Sequence, residues 1–386
     1  MRLLLDLRWV RSEILDGIGR VSLSVTAELL LLHPDWPFGL LFADAKMRDF
    51  ALEWIRAYHY PDEIVADYQA MVTGFGPQSP LNRALLWKQV KAFRPDVYYS
   101  FYYIFHPLPV TQVCTVHDLI PLIYPQYFQQ ASLGFRMAMT RAQTLRWLLK
   151  PMDGIVTVSN NTCQDLVEKL GIAAERIHVC PPGVEQQRSE QPLHGDLAGL
   201  ASGYILSVGR PDPHKNFHGL IEAYSDLSPE LRRDHPLVLA GPGDKPYTRK
   251  LEQQIKALKL DRAVYLLGAI DSKELPALYK HAAAFALVSY YEGFGLPVLE
   301  AMAQGTPVLT SDCSSLPEVA GDAALLVNPD RPMEIAWALN RILKVQSVAD
   351  ALRRRGLKRV ARFSWERTAE RLSAALREIK DGVAVK

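Results

Sequence analysis

Two carboxylates eight residues apart, Glu292 and Glu300, lie in the stretch of sequence with the clearest chemical meaning. An apolar run precedes them, and Pro297 favours the first turn of a helix that begins between them. Gly293 and Gly295 keep the backbone open to a ligand, and the positive end of the helix favours an anion such as a diphosphate. The carboxylates would repel that anion, so they are better suited to accept hydrogen bonds from hydroxyl groups on either side of it.

The spacing of these glutamates fits a ligand that carries hydroxyls at both ends. Eight residues of helix rise about 12 Å, which is the reach from a sugar ring, across a diphosphate, to a ribose. An isolated glutamate pair with this spacing is usually a solvated helix start. The glycines and the strand–loop–helix context favour the binding interpretation here.

A second loop carries two cations, Arg210 and Lys215, after a predicted strand that ends at Gly209. Prolines punctuate this loop, and a helix begins near Asn216. Cations at the carboxyl end of a strand can clamp a diphosphate and stabilise the charge that develops on it when a glycosidic bond breaks. Alone, such residues are usually surface charges. Together with the glutamate loop in the same half of the chain, they predict a diphosphate site.

The N-terminal half contains two weaker signals. Gly17 and Gly19 lie between the first strand and the first helix, but Ser22 occupies the place of the third glycine of a dinucleotide fingerprint. They predict either a plain turn or a flexible loop at a helix N-terminus that faces a phosphate or an acceptor. His117 ends another predicted strand; a lone histidine is usually structural, but the carboxyl end of a parallel strand favours a ligand.

Short aliphatic runs alternate with helix-compatible stretches along the whole chain, which is typical of parallel α/β sheets. Several runs are almost wholly apolar, as strands buried on both faces must be. Three helices are predicted near 331–343, 347–362 and 366–380. The predicted strands are 3–7, 38–42, 97–101, 113–116, 155–158, 177–180, 204–208, 237–240, 264–267, 284–288, 308–310 and 324–327.

A chain of 386 residues exceeds what one hydrophobic core usually organises, so two domains are expected. The stretch 185–203 has little periodicity and predicts the interdomain linker. We therefore expect an N-terminal domain over 1–190 and a C-terminal domain over 200–365. The last segment, 366–386, carries a helix whose apolar stripe predicts that this helix is buried.

Composition excludes several classes of protein. With 44 Lys and Arg against 42 Asp and Glu, the chain lacks the basic excess of a dedicated nucleic-acid binder. The four scattered cysteines form no CxxC pair, so neither a zinc site nor a disulfide framework is indicated, and a reducing compartment fits. The early charge at Asp6 argues against a signal peptide, and no apolar run is long enough to span a membrane. Val298 and Pro246 occupy the third-glycine positions of the other Gly-x-Gly candidates, which disfavours a dehydrogenase.

The segment 135–150 bears on membrane contact. It carries four cations among Met, Trp and Leu, namely Arg136, Arg141, Arg146 and Lys150. Projected on one continuous helix, these cations spread around the axis. This predicts an ordinary domain helix rather than a membrane-binding one, while peripheral contact with a membrane stays open.

Taken together, these segments resemble the family 4 glycosyltransferases. The resemblance is closest over 204–327, where the strand, the cation loop and the glutamate loop follow the family's order, and 305–319 is also typical. In the N-terminal half it rests on 17–20, 117–119 and 155–159. The resemblance implies an α/β protein of the GT-B fold class, with two Rossmann-like domains facing each other across a cleft. It also implies that the last helix, in 366–386, crosses back to the N-terminal domain.

The family resemblance also implies roles for individual residues. Arg210 and Lys215 would bind the donor diphosphate, Glu300 the ribose and Glu292 the transferred sugar, with His117 beside that sugar. The backbone near 268–270 would read the base. The remaining donor-binding residues implied are Gly17, Gly19, Gly209, Gly268, Ile270, Gly293, Phe294, Gly295 and Leu296.

The implied activity is transfer of a hexose from a nucleotide diphosphate sugar to a hydroxyl, with retention at the anomeric carbon. No Asp-x-Asp motif is present, so we expect no metal and no other cofactor. The stretch 117–121 resembles mannosyltransferases of polysaccharide assembly, which favours GDP-mannose slightly over UDP-glucose. A glycan or lipid-linked glycan at the cytoplasmic face of the membrane is the expected acceptor. A sugar-nucleotide epimerase and a non-catalytic nucleotide-sugar-binding protein remain the alternatives.

Overall fold

The computed structural model describes residues 1–10, 15–58, 68–74, 82–103, 106–128, 133–193, 203–243 and 245–382. The chain divides into two compact units. The N-terminal unit comprises Met1–Gly183 together with Ser364–Lys386, and the C-terminal unit comprises Val184–Phe363. The last helix therefore belongs to the N-terminal unit although it follows the C-terminal unit in the sequence.

The N-terminal unit contains a parallel sheet with seven strands in its described residues, in the order β3-β2-β1-β4-β5-β6-β7. Leu3 of the first strand pairs with Phe38 on one side and with Val97 on the other, so the strand order of the sheet reverses at β1. The strands are β1 (Leu3–Asp6), β2 (Phe38–Phe42), β3 (Tyr68–Val72), β4 (Val97–Ser100), β5 (Thr111–Val116), β6 (Gly154–Thr157) and β7 (Ile177–Val179).

Helices connect these strands, and their ends follow local capping chemistry. The Asp16 carboxylate accepts a hydrogen bond from Gly19 N at the start of α1, and Ser159 does the same for Thr162 N at the start of α7. The helices of this unit are α1 (Gly17–Leu32), α2 (Ala45–Tyr58), α3 (Asn82–Phe93), α4 (Ile120–Ile123), α5 (Leu133–Met139), α6 (Ala142–Leu149), α7 (Asn160–Leu170) and α16 (Trp365–Lys380).

Helix α16 packs against α1 within the N-terminal unit. Ala369, Leu372 and Leu376 are fully or almost fully buried, as their three- and four-residue spacing requires. Ile379 fills the space beside Gly154, where any larger residue would collide with it. The apolar stripe of the last helix thus lies in the core of this unit.

The C-terminal unit contains a second parallel sheet, in the order β10-β9-β8-β11-β12-β13 among its described strands. Its strands are β8 (Ile205–Val208), β9 (Leu237–Ala240), β10 (Val264–Gly268), β11 (Ala284–Leu287), β12 (Val308–Ser311) and β13 (Ala324–Val327). Its helices are α8 (Phe217–Ser225), α9 (Pro229–Asp234), α10 (Lys245–Ala257), α11 (Leu275–Lys280), α12 (Leu296–Ala303), α13 (Leu316–Ala320), α14 (Pro332–Lys344) and α15 (Gln346–Val360).

The expectation of one continuous helix over 135–150 is wrong. The chain forms two helices, α5 and α6, with a break at Thr140 and Arg141. The Thr140 hydroxyl donates to the carbonyl of Arg136 (2.6 Å), and Arg141 adopts an extended conformation before α6 begins. A helical projection across the whole segment therefore does not describe its surface.

The described part of the predicted linker, 185–193, belongs to the C-terminal unit and is bonded to its helices. Ser189 N donates to the side chain of Gln304 (2.8 Å), whose amide in turn donates to Gln187 O (3.1 Å). Lys280 Nζ donates to Ser189 O (2.6 Å). The rest of the predicted linker, apart from Gly203, lies outside the described residues. No helix in the described part of the chain is long and apolar enough to cross a membrane.

Candidate functional site

The topology of the C-terminal sheet places the two predicted loops side by side. β8 and β11 are neighbours, and the chain continues from β8 to β9 on one side and from β11 to β12 on the other. Open α/β sheets bind ligands at such a switch point, outside the carboxyl ends of the strands. The cation loop follows β8 and the glutamate loop follows β11, so both lie at this switch point.

Lys215 and Glu292, which the sequence assigns to different parts of a ligand, form a largely buried ion pair. The ammonium group of Lys215 is 2.7 and 2.8 Å from the two carboxylate oxygens of Glu292. Ser289 donates a further hydrogen bond to the same carboxylate (2.6 Å). Because only 6% of Glu292 is exposed, water contributes little to its solvation and these partners hold its charge.

The charge state of this pair follows from its surroundings. Burial alone would raise the pKa of Glu292, but the charge of Lys215, a smaller contribution from His214 and the hydrogen bonds hold it below its usual range. Burial and the neighbouring Lys215 lower the pKa of His214 to about 4. At neutral pH Glu292 is therefore a carboxylate and His214 a neutral imidazole.

Arg210 lies in the same loop as Lys215 but in a different environment. Its side chain is 62% exposed, and its Nε donates to Asp212 (2.7 Å). An exposed pair of this kind is weak, because water competes for both partners. Arg210 can therefore leave Asp212 for a stronger anion at small energetic cost. Gly209, directly before it, packs against the aliphatic stem of Lys215.

Two serines after β12 hold the glutamate loop, and the sequence reasoning missed both. Ser314 Oγ accepts from the backbone N–H of Glu292 (3.0 Å) and donates to its carbonyl (2.7 Å). Ser315 Oγ lies within hydrogen-bond distance of the carbonyls of Glu292 (2.9 Å) and Phe294 (2.8 Å). The hydroxyl-rich run after β12 was the available signal, since short hydroxyl side chains commonly bond to loop backbone.

The glycine-rich start of α12 is tightly fitted. Gly295 caps the helix with φ of 106°, and a Cβ there would lie 2.7 Å from Leu316. Gly293 and Phe294 are buried, and Leu296 begins the helix. Because Gly295 has no Cβ, the loop can pack this closely against Leu316. Helix α12 begins directly after the loop, so its positive end lies at the switch point.

Glu300 lies on α12, eight residues beyond Glu292, and is partly buried. The hydroxyl of Tyr279 donates to its carboxylate (2.6 Å), and Tyr279 itself is buried on α11. Gly268 and Ile270 lie at the end of β10, the edge strand of the same sheet. All of the predicted donor residues of this half therefore lie at or beyond the carboxyl ends of strands β8, β10 and β11.

The predicted residues of the N-terminal unit also follow parallel strands, at the carboxyl ends of β1 and β5. His117 follows β5, is 8% exposed, and lies 2.8 Å through its Nε2 from the carbonyl of Phe101. Burial lowers the pKa of His117, and the hydrogen bond to Phe101 and the nearby Asp16 carboxylate offset this only partly, so the ring is neutral at neutral pH. Gly17 is exposed with open space around it, whereas Gly19 is buried and its N–H is bonded to Asp16.

A buried polar network at the end of β1 was also missed. Asp6 and Arg8 are fully buried and form an ion pair (2.7 Å), and Arg8 also lies within hydrogen-bond distance of Tyr98 and His106. Burial alone would raise the pKa of Asp6, but the charge of Arg8 holds it below its usual value. The Asp-x-Arg spacing at a strand end was the only signal, because side chains two residues apart on a strand share a face.

Comparison with known families covers both halves of the chain. Residues 200–359 match the family model described as Glycosyl transferases group 1, and residues 48–188 match Glycosyltransferase Family 4.

Across the described residues no group of three or more His, Cys, Asp or Glu side chains could hold a metal ion.

Individual relatives agree with the family models. The chain is 31% identical over 265 residues to O-antigen chain mannosyltransferase B of Escherichia coli, covering 66% of this chain and 67% of that protein. It is 30% identical over 270 residues to serotype-specific mannosyltransferase WbdA of Escherichia coli, covering 68% of this chain but 33% of WbdA. Among solved structures, Anabaena HepE in complex with UDP and glucose matches with a TM-score of 0.72 and 19% identity, covering 98% and 100% of the two chains.

Two Rossmann-like units, with cation and glutamate loops at the switch point of the second, define the GT-B fold. The family models and the relatives make the assignment specific. The chain belongs to the family 4 glycosyltransferases.

Proposed function

We propose that this enzyme transfers a mannosyl group from GDP-mannose to a hydroxyl of a growing glycan, with retention at the anomeric carbon. The observation that carries the proposal is the buried pair of Lys215 and Glu292 at the switch point, with the exposed Arg210 in the same loop. A carboxylate for hydroxyls and two cations for a diphosphate are the groups that a nucleotide sugar requires.

Glu292 is the proposed sugar-binding group. A carboxylate only accepts hydrogen bonds, so it suits the hydroxyls of a hexose and not a phosphate. Its position is fixed by Ser289, Ser314 and Ser315, so the cost of ordering it is met during folding. When a sugar hydroxyl replaces the ammonium group of Lys215 beside the Glu292 carboxylate, Lys215 becomes available to bind the adjacent phosphate.

Lys215 and Arg210 are the proposed diphosphate-binding groups, assisted by the N-terminus of α12. The bond between the anomeric carbon and the diphosphate oxygen breaks with its electron pair on that oxygen. The acceptor oxygen bonds to the anomeric carbon on the same face, and its proton passes to the departing diphosphate. The two cations and the helix end stabilise the charge that develops there.

We assign the nucleoside to Glu300, in the middle of α12, and to the end of β10. Glu300 accepts hydrogen bonds from the ribose hydroxyls, and Tyr279 holds its carboxylate in place. The backbone at Gly268 and Ile270 reads the base. Tyr279 is thus a positioning residue that acts through Glu300.

We expect Glu300→Gln to weaken binding of nucleoside diphosphate about tenfold, because a charged acceptor becomes a neutral one. Tyr279→Phe removes the hydroxyl that orients Glu300 and should weaken binding about threefold at unchanged kcat. Calorimetric titration with GDP and UDP measures both. Tyr68→Phe is the control, because Tyr68 is a half-buried tyrosine of the N-terminal unit whose hydroxyl accepts a hydrogen bond from Arg56 (3.3 Å). Equal losses for Glu292→Gln and Glu300→Gln would contradict this division of roles.

We propose that the neutral imidazole of His117, in the N-terminal unit, forms a hydrogen bond with a hydroxyl of the transferred sugar. Gly17 is the better candidate for backbone contact with the ligand, because the N–H of Gly19 already donates to Asp16. A lipid-linked glycan at the cytoplasmic face of the membrane is the proposed acceptor, which would make the enzyme a peripheral one.

Donor identity is the finer part of the proposal. Two relatives are named mannosyltransferases, which supports GDP-mannose, whereas the HepE structure holds UDP and glucose and supports UDP-glucose as the second candidate. Thermal-shift measurement with GDP and UDP, followed by incubation with the matching sugar donors and a glycan acceptor, separates them. A product that is one hexose longer from UDP-glucose alone would overturn the mannosyl assignment.

We expect activity to survive chelation, because Lys215 and Arg210 are proposed to do the work of a divalent ion. EDTA should reduce turnover less than twofold, which corresponds to roughly 0.4 kcal/mol of barrier. The initial rate is measured with and without EDTA, and with added magnesium or manganese. Complete loss of activity that either metal restores would show that a metal site has been missed.

A further inference from the structure

The surface formed by α5 and α6 has an unusual charge composition. Residues 119–152 contain no Asp or Glu but carry Arg136, Arg141, Arg146 and Lys150. The complete chain is nearly balanced, with 44 basic and 42 acidic residues, so this segment concentrates positive charge locally. All four cations are exposed.

Helix α6 has a buried face and an exposed face of different chemistry. Leu145 and Leu149 are buried in the core of the N-terminal unit. Arg146, Trp147 and Lys150 recur at three- and four-residue spacing on the opposite face, and Trp147 is 65% exposed. A tryptophan left this exposed between two cations combines a large apolar ring with positive charge on the outer surface.

Helix α5 repeats this arrangement. Leu133, Arg136 and Met137 also fall on one face, with Leu133 69% and Met137 47% exposed. Each helix therefore presents an exposed cation directly before an exposed large apolar residue, Arg136 before Met137 and Arg146 before Trp147. A projection of residues 135–150 as one continuous helix does not show these two exposed faces.

We propose that this α5–α6 surface, comprising Leu133, Arg136, Met137, Arg146, Trp147 and Lys150, docks the enzyme on an anionic lipid surface. Apolar side chains with interleaved cations suit the boundary between headgroups and acyl chains, and indole rings favour that depth. The absence of acidic residues from the segment removes the repulsion that anionic lipids would otherwise meet. The proposal deepens the peripheral membrane contact proposed above, but the surface itself does not depend on the sugar that is transferred.

The chain offers a matched control in the C-terminal unit. Met333 and Trp337 lie four residues apart on α14 and are 80% and 59% exposed. The guanidinium of Arg341 lies 5.9 Å from the centre of the Trp337 ring. This pair has the same residue types as Trp147 and Met137, and both of its side chains are exposed, but Glu334 and Asp330 lie beside it in the sequence.

The test is co-sedimentation of the full chain with phosphatidylcholine vesicles that contain or lack phosphatidylglycerol. We expect binding only with phosphatidylglycerol, and weaker binding at high salt. Arg146→Gln combined with Lys150→Gln should lower the partition coefficient about thirtyfold, and Trp147→Ser about tenfold. Trp337→Ser should change it less than twofold. These side chains are exposed, so thermal unfolding should stay unchanged in every variant.

Three outcomes would overturn the proposal: equal binding to neutral vesicles, loss of binding in Trp337→Ser, or no binding by the parent chain. Concentration-dependent dimerisation that Trp147→Ser abolishes, without vesicle binding, would show that a second copy covers the surface instead. Transfer to a short soluble acceptor is measured in parallel. Vesicle binding without transfer from any donor would overturn the proposed function and leave the surface proposal standing.

Discussion

Glu292→Gln should lower kcat about 100-fold while changing the affinity for nucleoside diphosphate less than twofold. The neutral amide keeps the shape of the carboxylate but loses the charge that strengthens hydrogen bonds to the sugar as positive charge develops at the anomeric carbon. The affinity for the product nucleotide is expected to survive because Lys215 loses its buried counter-charge and remains available to the phosphates. Single-turnover rates and calorimetric titration measure the two quantities.

Lys215→Gln provides the contrast. It removes a phosphate-binding cation, so nucleotide affinity and kcat should fall together, and it leaves Glu292 buried without its ammonium partner. Since the two side chains share one interaction, the double variant should lose less than the sum of the single losses. Additive losses would mean that the ion pair plays no part in turnover. A nucleotide affinity that falls 100-fold in Glu292→Gln would place this carboxylate on the nucleotide instead of the sugar.

The strands were predictable because most of them are buried on both faces. Such strands appear in the sequence as short, nearly continuous apolar runs, and the predicted runs coincide with β1, β2 and β4 to β13. β3 was not predicted. It is an edge strand whose central residues Gln69 and Ala70 are exposed, so its sequence lacks the apolar run that marks the others.

The candidate site was predictable as two loops but not as a set of contacts. Glycines, prolines and charged residues that follow a strand predict a ligand-binding loop, because each of them is recognised from the local sequence alone. The pair between Lys215 and Glu292 joins residues 77 positions apart, and no local pattern reports such a distance. The bonds from Ser314 and Ser315 depend in the same way on the neighbouring positions of β11 and β12, which only the folded sheet defines.

The second large effect concerns stability. Asp6→Asn should destabilise the N-terminal unit by about 3–5 kcal/mol, because Arg8 then remains fully buried without a counter-charge. Tyr98 loses a charged acceptor for its hydroxyl in the same substitution. Hydrogen–deuterium exchange of β1 and β4 measures the effect within this unit, because a chain of two units need not unfold in one step. Asp350→Asn, which breaks a partly exposed pair with Arg353, is the control and should cost less than about 1 kcal/mol.

The acid dependence of the same pair gives an independent test of its charge. The pKa of Asp6 is lowered in the folded chain, so its ionised form contributes stability above the unfolded value of 3.8, and that stability is lost as pH falls through the folded pKa. Asp6→Asn should remove this part of the acid dependence. The double variant Asp6→Asn, Arg8→Met should be more stable than Asp6→Asn alone, because no uncompensated charge stays buried. If the double variant is as unstable as the single one, the cost arises from packing at the end of β1 and not from the charge of Arg8.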